Sequence, residues 1–572
     1  RDLDAFLLPY GYGDGGGGPS RDHIEYARRQ KNLEGSVKVK FSEPVEFFED
    51  MQEKGGPKNT YVGELYFTAH RGTYTSQAMV KKNNRKSEIA MRELELWSAL
   101  AALGKANYPK TDIEELWKEV LLYQFHDILP GTCIAKVYEE VEEGYERLLK
   151  KADSLQKAAQ EKLLSFENNE NVVTVFNSLG FERKAIVSLP DAYKNGVVLA
   201  EGRYLPVAVD AQGVKTLLTL PSCGSVSLRP ATSKVVKNGP DGATIVKTEN
   251  GFTMENAFIR AVVNNRGEVM SFVLKESGRE FAAGSMNGFH IYKDVPRVFD
   301  AWDIDSHYIE QEVDGIFDVT VEEIEQGMEA VLKVTGKISE STYVQYIRLS
   351  ADSRRLEFET EVDWKELHRL LKVAFPVNVY AENAINEMQF GYVERPAHRS
   401  RLYDKDRFEV CNHRYSAFCD GAHGAAVLND SKYGISMNDN RLELTLLRAA
   451  ASPVMRADNG VHHFTYAFTA WEGSFADCDV VRQAYELNVQ PVVMQGGCLD
   501  MSFLQIEQTN VMLDTIKLAE DGSGDVIVRL YEAKKAAVTA NIYVDLPNMK
   551  AYSCDMLENV IEELTVVNGT IE

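Results

Sequence analysis

A histidine and an aspartate stand side by side in "LLYQFHDILPGT", Leu121 to Thr132. The imidazole of His126 is suited to metal ligation or proton transfer, and the Asp127 carboxylate to accepting hydrogen bonds. A second carboxylate, Asp14, lies in "YGYGDGGGGPS", where four consecutive glycines let backbone approach a ligand closely. Neither GxxxxGK[ST] nor a helix-opening GxGxxG is present, so phosphate binding is a poor reading of that loop. A third, Glu64, begins "GELYFTAHRGTYTSQAMVKKNNR", which continues into the hydrogen-bonding cluster His70, Arg71, Tyr74 and Thr75. A carboxyl at a strand end serves as general acid where apolar neighbours such as Tyr66 or Phe67 raise its pKa. Each motif also has a plain reading: a glycine linker, a solvated charge, and a histidine satisfied at the edge of a core.

A zinc site needs three or four ligands. The eleven histidines include no His-x-Asp, His-x-His or HExxH spacing, so His126 has no companion that spacing alone identifies.

These groups are carried by a chain of 572 residues, enough for about three to five domains. Its net charge of −23 argues against nucleic acid or an anionic membrane surface as partner. No apolar run is long enough to span a bilayer. Seven cysteines without a CxxC suit scattered thiols in a reducing compartment. The chain opens at Arg1 within an apolar stretch and ends at "TVVNGTIE" among strand-like residues, the pattern expected of a chain clipped at both ends.

The positioning elements follow from periodicity. Residues 3–13, 37–41 and 60–69 read as strands and 44–53 as a helix, the rhythm of an α/β unit with a parallel sheet. Three helices are predicted at 83–104, 111–129 and 133–166. Thr111 and Glu114 have capping-box spacing at the start of the second, and Pro130 and Gly131 stop it. The stripe Leu121, Leu122, Phe125, Ile128, Leu129 is expected to face a core. Short connections imply an antiparallel three-helix bundle. After "ENNEN" (167–171) short β-rich runs take over for about 400 residues, indicating antiparallel sandwiches. The fold class is therefore multidomain α+β, divided at 1–75, 76–168, 169–235, 236–495 and 496–572.

Taken in order, the three motifs resemble segments of glycoside hydrolase family 38, the zinc-dependent retaining α-mannosidases, in its bacterial and cytosolic/vacuolar branch. "FNSLGFER", "VPRVFDAWDIDSHY", "VDWKELHRLLKVAFP", "FEVCNHRYSAF", "VLNDSKYGISM" and "LTLLRAAASPVMRADNGVHHFTYAF" extend the resemblance through the β region. It implies an α/β barrel-like catalytic domain, of which 1–75 is the remnant, then the helix bundle and the sandwiches. It further implies one zinc ion with His126 as ligand, Asp14, Asp127 and Arg448 near the sugar, and Glu64 as acid/base. Retention requires two carboxyl groups about 5–5.5 Å apart, and zinc binding to sugar hydroxyls would stabilise the transition state. The implied substrate is a mannose-containing oligosaccharide or small mannoside in the cytoplasm, with self-association left open. Because the nucleophile and most zinc ligands have no matching position, the chain alone is expected to be inactive. The alternative is a non-catalytic carbohydrate-binding assembly of β-sandwiches.

Overall fold

The computed structural model describes residues 3–164, 171–210, 213–235, 242–498 and 500–571, so the expected change of pattern at 167–171 and the boundary at 235/236 touch residues outside that set. The chain divides into two units, Arg1–Tyr66 and Phe67–Glu572.

The first unit holds two helices, α1 (Arg21–Gln30) and α2 (Pro44–Glu53). Helix α1 begins with a capping box between Ser20 and His23, and α2 with proline at its first turn, where no N–H is needed. The three strands expected at 3–13, 37–41 and 60–69 are not formed; those residues are loop. A parallel-sheet strand needs paired neighbours and cover on both faces. None of the described residues of this unit is buried, and Phe6 and Leu8 are 70% and 73% exposed. The helix at 44–53 is present, whereas α1 was not anticipated.

In the second unit, α3 (Ala78–Leu103), α4 (Lys110–Tyr123) and α5 (Ala135–Leu163) share one core built on Met91 and Leu94, Leu116 and Val120, and Tyr145 and Leu148. Helix α3 is apolar on more than one side: Leu96, Trp97 and Leu100 pack instead against Phe503, Leu513 and Ile516 of the C-terminal β region. It is also pinned by Arg85, whose guanidinium donates to the Asn429 and His413 carbonyls at 3.1 Å each and stacks on Tyr433.

Helix α4 differs from expectation at both ends. Pro109 precedes it without a side-chain cap, so Thr111 lies inside the helix and the capping box does not form. It ends at Tyr123, and a run of turns carries the chain to Thr132. Gln124 ties that end to α3 by donating to Asn84 and Glu88. Ile128 and Leu129 pack on the helical core, but Leu121, Leu122 and Phe125 are 61%, 60% and 54% exposed. The periodic stripe is therefore split between core and surface.

The β region is antiparallel throughout the described pairs. A nine-stranded sheet runs Ile316–Glu325, Glu329–Ile338, Ser341–Ser350, Leu356–Trp364, Gly460–Glu472, His423–Asn429, Tyr415–Cys419, Asn383–Met388, Gly391–Pro396. A six-stranded sheet has Gly288–Lys293, Arg369–Pro376 and Arg441–Arg448 at its centre. The two face each other as a sandwich: Phe375 stacks on Phe468 with ring centroids 5.5 Å apart, the packing expected of alternating inward residues. Strands of the region expected to form a smaller β domain at 169–235 pair beyond it: Val173–Asn177 with Val492–Gln495 and Gly224–Pro230 with Met501–Ser502. Among the described residues no helix is long and apolar enough to cross a membrane, and all seven cysteines are free thiols.

Candidate functional site

In the first unit Asp14 lies on a short 3-10 turn, Gly13–Gly15, closed by Tyr12 N–H donating to the Gly17 carbonyl at 2.9 Å. It is exposed and sits in a loop rather than at a strand end. Glu64 is half-buried in loop, and its carbonyl accepts from the Tyr61 hydroxyl at 3.0 Å.

In the second unit His126 and Asp127 occupy the turns after α4. The His126 side chain is 78% exposed, its ring lies 4.2 Å from that of Phe125, and Nε2 is 3.8 Å from Asp127 Oδ2. Asp127 is fastened more tightly. Its Oδ1 accepts from the Thr132 hydroxyl at 2.9 Å, and its carbonyl accepts from the Tyr138 hydroxyl at 3.0 Å and Thr132 N–H at 3.1 Å. Tyr138 belongs to α5, so the start of one helix fixes the turn that ends another. The turn thus presents an imidazole and one carboxylate oxygen outward.

What holds that turn lies in the other motifs. Gly131 has φ +90°, and a Cβ there would overlap the Ser76 backbone. Ser76 is buried, donates its hydroxyl to the Ala301 carbonyl at 2.6 Å, and accepts from Arg448 Nη1 at 2.9 Å. Gly72 is likewise obligatory, because a Cβ would overlap the Arg448 guanidinium, and its N–H donates to the Trp302 carbonyl at 2.9 Å. Arg71 is buried over the Phe408 ring and donates to the Asp406 carbonyl. His70, Arg71, Tyr74 and Thr75 all fall in the second unit, where His70 stays exposed while Arg71 and Thr75 are buried.

Arg448, expected near the sugar, lies in the interior of the β region. It is fully buried and spends five N–H groups inside the chain, on Asp294 Oδ2 (2.8 Å), Ser76 Oγ, and the carbonyls of Ala301 (3.1 Å), Asp300 (3.0 Å) and Asp303 (2.9 Å). The pairing follows from register: Lys293 opposes Arg369, and Arg448 opposes Leu370, so Asp294 and Arg448 flank the start of one central strand. Burial raises the Asp294 carboxyl, and the Arg448 charge opposes that shift.

Asp458, from the same loop region as Arg448, accepts from the N–H groups of Gln77 (2.8 Å) and Ala78 (2.6 Å). It supplies the N-terminal cap that α3 lacks locally, since Gln77 adopts φ +57° and makes no side-chain cap. Lys81 donates to the Ser76 carbonyl from a fully enclosed position, and burial lowers its ammonium to about 7 despite nearby Asp458. Sequence spacing did not single out Ser76, Asp294 or Asp458. The one available signal was the start of α3 without a Ser, Thr, Asp or Asn cap.

Residues 2–68, 68–163, 254–456 and 510–572 match, in that order, the glycosyl hydrolases family 38 N-terminal domain, the alpha mannosidase middle domain, the family 38 C-terminal domain and its C-terminal beta sandwich domain. The chain is 34% identical to human alpha-mannosidase 2C1 over 97% of its own length and 53% of that protein. It is 31% identical to alpha-mannosidase G of Dictyostelium discoideum over 98% of its length and 56% of that protein. The chain thus spans about half the length of the curated relatives it matches. The crystal structure of an alpha-mannosidase from Enterococcus faecalis V583 superposes with a TM-score of 0.77 at 14% identity, covering 95% of this chain and 72% of that one, which shows a shared fold. The chain belongs to glycoside hydrolase family 38.

Proposed function

We propose that these 572 residues are part of a retaining α-mannosidase that removes terminal mannose from oligosaccharides or small mannosides in the cytoplasm. The observation that carries the reading is the alignment of α-mannosidases along 97% and 98% of the chain. In this reading the residues up to Tyr66 belong to a barrel-like catalytic domain, and α3, α4 and α5 form a three-helix bundle presenting the His126–Asp127 turn.

The chain's own groups would act as follows. Glu64 gives its proton to the glycosidic oxygen as the bond to C1 breaks, then takes one from water in the second step. Asp127, with Oδ1 occupied by Thr132, has Oδ2 left to accept a sugar hydroxyl. Asp14 contributes a further acceptor from the glycine loop. Arg448 and Ser76 hold the turn and do not contact sugar.

His126 is a donor of the kind zinc takes, and when bound the metal would polarise sugar hydroxyls. Among the described residues, however, no three His, Cys, Asp or Glu side chains come together to hold a metal ion. These residues do not make a zinc site by themselves. The 572-residue chain alone is accordingly expected to bind less than one zinc and to show no turnover.

The test is hydrolysis of p-nitrophenyl α-mannoside by the protein expressed from its own gene, with zinc quantified. Turnover with retention, removed by a chelator, supports the reading. Binding of mannosides without any turnover supports the carbohydrate-binding assembly instead.

A further inference from the structure

A cavity of about 470 Å³ opens where α3 and α4 meet the hairpin Val511–Leu518/Val526–Glu532 and the turn around Glu558. It shares no residue with the His126–Asp127 turn, and its volume is in the range of roughly 300–1,000 Å³ usual for small-molecule sites. Glu95 of α3 forms part of the lining and is only 7% exposed. Trp117 of α4 lines the same cavity beside it, and among the described residues Glu95 makes no ion pair within 4 Å.

The cations of the lining are already committed. Lys517 pairs with Glu520 and, at 3.0 Å, with Glu558; Arg529 lies 3.6 Å from Glu558. Glu558 also accepts from Glu520 N–H, which fixes the turn. With Asp514, the lining has four carboxylates against two cations. An anion would have to displace these ion pairs. A divalent metal is not provided for either, since among the described residues no three such donors converge. A buried carboxylate that stands outside those ion pairs, beside an indole and the exposed side chains of Met556 and Leu557, is matched to a cation with a short apolar stem.

We propose that this cavity binds a small primary ammonium compound, its charge paired with Glu95 and its carbon stem against Trp117. This rests on no part of the mannosidase reading. Burial pushes the Glu95 carboxyl up to about 7, opposed by Lys517, Arg529 and the Trp117 side chain and reinforced by Glu520. The remaining ionisable groups around it are Tyr108, Glu558, Asp514 and, beside Glu520, Lys110. An ammonium pairs only with the ionised carboxylate. Affinity must therefore rise as pH climbs through about 7 and level off above it.

Calorimetric titration of the whole protein with ethanolamine, and with ethylene glycol as the uncharged counterpart, tests this. Ethanolamine is expected to bind saturably, about five- to tenfold more tightly near pH 8 than near pH 6. Glu95→Gln should weaken it at least about tenfold and abolish the pH dependence, while ethylene glycol should not bind. Trp117→Phe should weaken binding without abolishing the pH dependence. Should Glu95→Gln not fold, the pH series on the unaltered protein decides. Absence of saturable ethanolamine binding, equal binding of ethylene glycol, or an affinity unchanged by both pH and Glu95→Gln would overturn the proposal.

Discussion

Arg448 Nη1 donates to the Ser76 hydroxyl at 2.9 Å, so the last residue of a central β-strand closes on the loop that leads into α3. Ser76 in turn lies against Gly131, five residues beyond His126. Through one hydroxyl, the β-sandwich thus sets the place of the turn that carries His126 and Asp127.

The Arg448–Asp294 pair is buried, with Asp294 only 2% exposed. Arg448→Met keeps much of the volume but strands that carboxylate and three carbonyls. It is expected to cost about 3–5 kcal/mol of stability, because a buried charge loses its partner. Urea unfolding measures this; a loss under about 1 kcal/mol would contradict the five-bond role.

Gly131 and Gly202 share a left-handed backbone, φ +90° and +82°, but only Gly131 faces an obstacle; a Cβ at Gly202 meets nothing within 4 Å. Gly202→Ala is expected to cost about 1 kcal/mol from backbone strain alone. Gly131→Ala should cost at least about 2 kcal/mol more and, in the protein expressed from its own gene, reduce mannoside turnover, since Ser76 must move. Equal costs in thermal or urea melts would show that the close approach does not matter.

Asp458 accepts the first two N–H groups presented by the start of α3. Asp458→Ala is expected to lose about 1–2 kcal/mol and to speed hydrogen exchange in the first turn of α3 while leaving its last turn unchanged. Asp458→Asn should recover part of both. Uniform exchange along α3 in the Ala variant would argue against a cap.

Burial, with Arg85 and Arg414 adding to it, lowers the His413 imidazole to about 3. The unfolded chain binds this proton below about 6.5 and the folded chain does not. Stability contributed by the neutral ring is therefore full above about pH 6.5 and declines as pH falls toward 3. His413→Gln should flatten that part of the stability–pH curve. An unchanged slope between about pH 6 and pH 4 would contradict the assignment.

The helical core was legible because apolar spacing reports which face is buried, and the segments predicted as helices at 83–104 and 133–166 bury Leu94, Tyr145 and Leu148. The same rule misled at Leu121, Leu122 and Phe125, whose spacing continues the pattern into solvent. Residues 3–13, 37–41 and 60–69 read as strands because Leu, Phe and Val runs look alike whether or not neighbours exist to pair with them. The resemblance implied a place near the sugar for Arg448, but its partner Asp294 was not legible, since it lies 154 residues away and is brought close only by the order of strands. His126 and Asp127 stood out by residue type alone, whereas what positions them depends on Ser76 and Gly131, whose side chains carry no obvious chemistry.

Hydrolysis of p-nitrophenyl α-mannoside by the protein expressed from its own gene, with and without His126→Ala, tests the central claim most directly. The variant should melt as the parent does, since the ring is 78% exposed, and should lose more than about 100-fold in kcat/KM. A His126→Ala protein that keeps the parent's kcat/KM would contradict the assignment of this turn to the reaction.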